Sequence, residues 1–122
     1  MMTDNIDRFC LAAGAALAAL GIVLGAFAAH ALNARLGPVE LGWWETGVRY
    51  QMWNAVGLVA LAALPGMRRA GVLVLAGTLV FSGSLYLMAL TGVRWLGAVT
   101  PVGGALMIAG WGLVAWRAAR VR

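Results

Sequence analysis

A chain of 122 residues in which 63% of the side chains are hydrophobic and only 11% are charged has too few polar groups to cover a soluble domain of this size, which keeps much of its surface in water. The formal charge of +5 arises from nine arginines and no lysine, set against Asp4, Asp7, Glu40 and Glu45. Those arginines punctuate the ends of apolar runs and form no single patch, which excludes nucleic-acid binding and points to an integral membrane protein. The lone Cys10 rules out an internal disulfide or a cysteine-based metal site and reads as a small apolar filler.

The stretches free of formal charge set the elements in chain order. Twenty-six residues separate Arg8 from Arg35, 18 separate Arg49 from Arg68, 24 separate Arg69 from Arg94, and 22 separate Arg94 from Arg117. A helix crossing a hydrocarbon core of about 30 Å needs about 20 residues, and only a helix satisfies its own backbone within one run. The predicted spans are residues 9–31, 44–64, 70–91 and 98–117 of a single domain, 1–122. The first resembles a signal peptide, but its apolar stretch is too long and Asp4 and Asp7 dilute the basic flank, so it is expected to be retained. With four spans, Arg8, Arg68, Arg69, Arg117, Arg120 and Arg122 share one side, and Arg35, Arg49 and Arg94 the other. The arginine excess predicts that both termini are cytoplasmic.

Small residues at Gly14, Ala18, Gly21, Gly25 and Ala28 follow spacings of four, three, four and three along the first span. Such a stripe lets helix backbones approach closely, and this drives association where lipid tails are as apolar as leucine. Gly103 and Gly110 repeat the theme in the fourth span, where Thr100-Pro101 supplies a cap residue followed by a first-turn proline. The stripe serves contacts within the chain or a homodimer interface. Thr78, Ser82 and Tyr86 line the third span at steps of four, with Ser84 on a neighbouring face. A hydroxyl stripe of this kind is expected to join helices and not to line a conduit.

The stretch WWETGVRYQMWN at residues 43–54 begins the second span. Glu45 and Arg49 have the order and spacing of a helical ion pair, and pairing avoids the cost of isolated charges near lipid. Trp43, Trp44, Tyr50 and Trp53 fit an aromatic belt at the membrane surface. Asn54 is expected to bond a neighbouring helix, with His30 nearby at the same end of the first span. His30, Glu45, Arg49, Tyr50, Asn54, Ser82, Ser84 and Thr100 therefore form the candidate polar cluster. No nucleophile–base set, metal-ligand set or phosphate loop accompanies it, so neither an enzymatic activity nor a cofactor is expected.

Four blocks in order, GAFAAHAL (25–32), WETGVRYQMWNAVGLVAL (44–61), FSGSLYLMALTG (81–92) and RWLGAVTPVGGALMIAGW (94–111), resemble the small bacterial inner-membrane proteins of the YgdD/YwdK type, domain-of-unknown-function family 423. The resemblance spans most of the chain and implies a four-helix bundle in the bacterial inner membrane with no assigned activity. His30, Glu45, Arg49, Tyr50, Gln51, Ser82, Gly83, Ser84, Thr100 and Pro101 match the family pattern. Ala28 stands where that pattern favours glycine, and Trp53-Asn54 where it commonly has Tyr-His. The lost histidine argues against metal, haem or proton-relay chemistry. The expected role is a non-enzymatic packing or accessory protein, with membrane lipids, a second copy or another membrane protein as partner. The rival is a small dimeric transporter or channel.

Overall fold

A computed structural model describes residues 5–120. Four long helices account for most of them: α1 (Arg8–His30), α2 (Pro38–Leu61), α3 (Arg68–Thr91) and α4 (Thr100–Arg120), with short 3-10 turns at Leu32–Ala34 and Arg94–Ala98. The described residues contain no strand. Each helix packs chiefly on its neighbours in sequence, so α1 and α4 stand at opposite ends of a row whose centre is α2 and α3.

Local chemistry sets the ends of these elements. Asp7 caps α1 by accepting the Cys10 backbone N–H at 3.1 Å. The same carboxylate accepts from Arg68 Nε at 2.9 and 3.0 Å, while the Asp7 N–H donates to the Ala62 carbonyl at 2.8 Å. One residue thus ties the start of α1 to the end of α2 and the start of α3. The Arg68 hydrogen bond, followed by the Cys10 N–H, holds the Asp7 carboxyl below its usual range. Helix α2 begins at Pro38 and not near residue 44, because Gly37 is extended and the proline occupies the first turn without losing a bond. Gly92 closes α3 in the left-handed region at φ 73°, its N–H returning to the Met88 carbonyl at 2.8 Å.

The helices approach to backbone distance where glycines face one another. A Cβ placed on Gly77 of α3 would lie 2.6 Å from Met107 N and 2.7 Å from Gly103 O of α4, and one on Gly110 would lie 3.0 Å from Ala70 O. The α1 stripe faces α2: a Cβ on Gly14 would lie 2.7 Å from Ala55 O, and one on Gly25 would lie 3.4 Å from Val48 Cγ1. Gly21 faces Met52 and Gln51, and Ala18 packs on the cluster of Leu17, Ala55, Leu58, Leu61, Met67 and Val74. Every one of these small residues is engaged within the chain.

The outer faces are apolar. Ile22, Val56, Leu79 and Ile108 are exposed, Ile108 at 75%, the reverse of a soluble domain. The stretches Arg8–Ala34, Arg68–Thr91 and Arg94–Arg120 are long and apolar enough to cross a membrane. Helix α2 matches them in length at 24 residues but carries Glu45, Arg49, Gln51 and Asn54. Its place between α1 and α3 turns Gln51 and Asn54 inward, to 2% and 5% exposure.

Candidate functional site

Two polar centres lie along α2. At the first, Gln51 projects between α1 and α3. Its Nε2 donates to the Leu17 carbonyl at 2.9 Å, and its Oε1 accepts from the Tyr86 hydroxyl at 2.6 Å. A single amide side chain thereby links three helices. Ser82 adds a bond to the Gly47 carbonyl at 2.7 Å. Gly47 must lack a side chain because a Cβ there would lie 2.7 Å from Tyr86 Cε1. Trp44 completes this face, donating from Nε1 to the Leu24 carbonyl at 2.9 Å and meeting Tyr86 at a tilt with centroids 4.6 Å apart.

At the second centre, Asn54 faces α4. Its Oδ1 accepts from Trp111 Nε1 at 2.8 Å, while its Nδ2 donates to the Tyr50 carbonyl at 2.7 Å and to Met107 Sδ at 3.2 Å. Nearer the start of α4, the hydroxyls of Ser84 and Thr100 lie 2.5 Å apart and close the α3–α4 contact. Among the described residues, no buried side-chain nitrogen or oxygen lacks a partner. This matches what a low-dielectric surrounding demands, because an unpaired polar group there costs several kcal/mol, roughly.

The eight residues of the sequence-derived cluster do not form one site. Asn54 bonds a neighbouring helix, and Ser82, Ser84 and Thr100 join helices, while the Tyr50 ring meets Trp53 edge-on and Phe81 at a tilt, with centroids 5.1 and 4.7 Å away. His30 is exposed at the end of α1 and does not reach Asn54, whose partners lie on α2 and α4. Glu45 and Arg49 are both exposed and form no ion pair; among the described residues that bond belongs to Asp7 and Arg68. The spacing permits the pair but does not impose it, because closing it must offset the entropy of ordering two long side chains in the interior of α2. The belt reading also fails at Trp44, which is 3% exposed and hydrogen-bonded inside. Thr78 returns its hydroxyl to Val74 of its own helix at 2.7 Å and joins nothing else.

Gln51, Tyr86 and Trp111 are the participants that sequence reasoning left outside the cluster. Gln51 carried a signal: it falls with Gly47, Asn54 and Leu58 on one helical stripe, and all four are buried. No three His, Cys, Asp or Glu side chains gather among the described residues, so no set here is put forward as a metal site. Beside Asn54 an open groove of about 840 Å³ lies between α2 and α4, with Tyr50, Trp53, Phe81, Met107, Ile108 and Trp111 among its walls.

Apolar helices with lipid-facing outer surfaces and inward-turned polar groups define an α-helical membrane protein. The chain belongs to the family described as "Protein of unknown function (DUF423)", which matches residues 24–104. It is 39% identical over 122 residues to the UPF0382 inner membrane protein YgdD of Escherichia coli K12, covering 95% of this chain and 93% of that protein. A UPF0382 membrane protein of Staphylococcus haemolyticus is 43% identical over 103 residues, 80% of this chain and 84% of its own length. No solved structure matches the chain.

Proposed function

We propose that the chain crosses the bacterial inner membrane four times with both ends in the cytoplasm, and acts there as a non-enzymatic accessory protein that packs within the bilayer. One observation carries this reading. Among the described residues, the buried amides, hydroxyls and indole N–H groups are spent on bonds inside the chain, which favours a packing role over an interior path for a solute. The inward-turned polar face of α2 supports a fourth crossing despite its composition. The arginine excess at the Arg68 end supports the orientation, and the relatives' names support the inner membrane. A second copy or another membrane protein is the expected partner, meeting the apolar outer faces.

Ion flux into liposomes tests the reading against transport. Vesicles holding the wild-type chain, Glu45→Gln or Arg49→Gln are expected to pass protons and potassium no faster than empty vesicles. A wild-type flux that either substitution removes would make the protein a transporter.

A further inference from the structure

The groove between α2 and α4 stays open beside the Asn54–Trp111 contact that forms part of its wall. Three aromatic rings run along its α2 side, Trp53 on Tyr50 and Tyr50 on Phe81 of α3. Its α4 side is hollowed by glycine: a Cβ on Gly104 would come no closer than 3.8 Å to Phe81, and one on Gly112 would meet nothing within 4 Å. Trp53 is 60% and Ile108 75% exposed, so the opening faces the surroundings of the helices. Those surroundings are hydrocarbon for a chain of this composition. The amide of Asn54 and the indole N–H of Trp111 are already bonded to each other. The groove therefore offers carbon surface and little polarity, and it suits a long apolar chain.

A charge adjoins its lining residues in the chain. Arg49 precedes Tyr50 directly and lies one helical turn from Trp53. It is exposed and has no ion pair among the described residues, although Glu45 is four positions away on the same helix. A guanidinium at the edge of a hydrocarbon region is costly unless it reaches headgroups or meets an anion. An apolar trough lined by Tyr50 and Trp53, with the next residue in the chain a cation that has no ion pair among the described residues, matches a molecule that joins an apolar chain to an anionic head. We propose that the groove holds an acyl chain of an anionic membrane phospholipid whose phosphate meets Arg49. The opposite charges supply the preference among lipids, and the groove supplies the fixed position. Only a lipid-facing groove is needed, whichever way the chain is oriented.

Native mass spectrometry of the full chain, released from detergent after exposure to equal amounts of dioleoyl phosphatidylglycerol and dioleoyl phosphatidylcholine, tests this. The wild type is expected to retain the anionic lipid preferentially as a one-to-one adduct. Arg49→Gln is expected to lower that retention about fivefold, the effect of one arginine near an anionic surface, and to leave phosphatidylcholine unchanged. Gly112→Leu fills open space and is expected to fold and lose both adducts. Equal retention of the two lipids by wild type, an unchanged preference in Arg49→Gln, or unchanged adducts in Gly112→Leu would each overturn the proposal. A lipid-free dimer that Gly112→Leu dissociates would assign the groove to a second copy and overturn it too. A further measurement needs no variant: phosphatidylglycerol brominated on its acyl chains is expected to quench tryptophan fluorescence more than brominated phosphatidylcholine at equal mole fraction. Equal quenching counts against the proposal.

Discussion

Gly77→Val is expected to separate α3 from α4 and to destabilise the protein by about 3 kcal/mol, the upper end of what overpacking costs. The first atom of the new side chain would fall 2.6 Å from Met107 N and 2.7 Å from Gly103 O. Both are backbone atoms, so no rotamer change relieves the clash, and the two helices must move apart. That movement also loosens the Ser84–Thr100 contact farther along the same pair of helices. Gly83→Ala provides the control on the same helix. A Cβ at Gly83 meets nothing within 4 Å, so alanine there is expected to be neutral or to stabilise by up to about 1 kcal/mol through helix propensity. Unfolding titrations in mixed micelles should rank the proteins as Gly83→Ala at or above wild type and Gly77→Val far below. Equal midpoints would show that α3 and α4 are not in backbone contact.

Gln51→Leu is expected to be the most damaging single change among the buried polar residues, at about 1–3 kcal/mol. It removes the bond to the Leu17 carbonyl and takes Gln51 Oε1 away from the Tyr86 hydroxyl. Tyr86→Phe removes only one end of one bond and should cost about 0.6–1.7 kcal/mol. Because the two substitutions share that bond, the double variant should be less destabilised than their sum. Strict additivity would mean that the 2.6 Å contact contributes nothing.

The two findings differ in how far the sequence foretells them. Gaps between arginines locate α1, α3 and α4 closely, because a charge is expensive in hydrocarbon and the limits of tolerance are sharp. Helix α2 is placed less well. Its first turns, from Pro38, carry Glu40 and no long apolar run, so the start is set by Gly37 and proline geometry and not by hydropathy. Small-residue spacing identifies Gly14, Gly21, Gly103 and Gly110, but the partner of each depends on which helices become neighbours. The α1 stripe also suited a second copy; in the fold it meets α2.

Side-chain partners are the least legible level. Trp44 and Trp53 look alike in the sequence and lie nine positions apart, yet one is buried at 3% exposure and the other stands open at 60%. The difference is the rotation of α2 about its axis, which the packing of α1 and α3 fixes. Gln51 sits among residues that resemble a membrane-surface belt, and only the approach of Leu17 and Tyr86 makes it a junction. Glu45 and Arg49 show the converse. Their spacing permits a bond, but exposure leaves little to hold it closed. Asp7 and Arg68 are 61 positions apart and do pair, because the ends of α1, α2 and α3 converge there.

All of this rests on α2 as a crossing helix whose polarity is turned inward. Impermeant maleimide labelling of single cysteines in intact cells, on a Cys10→Ala background, tests that directly. Ala34, Leu64 and Trp95 occupy three successive connections between helices, and all three are exposed. Ala34→Cys and Trp95→Cys are expected to react from outside the cell, and Leu64→Cys only after the membrane is opened. Labelling of Ala34→Cys and Leu64→Cys from the same side would mean that α2 does not cross, and the four-span arrangement would fall with it.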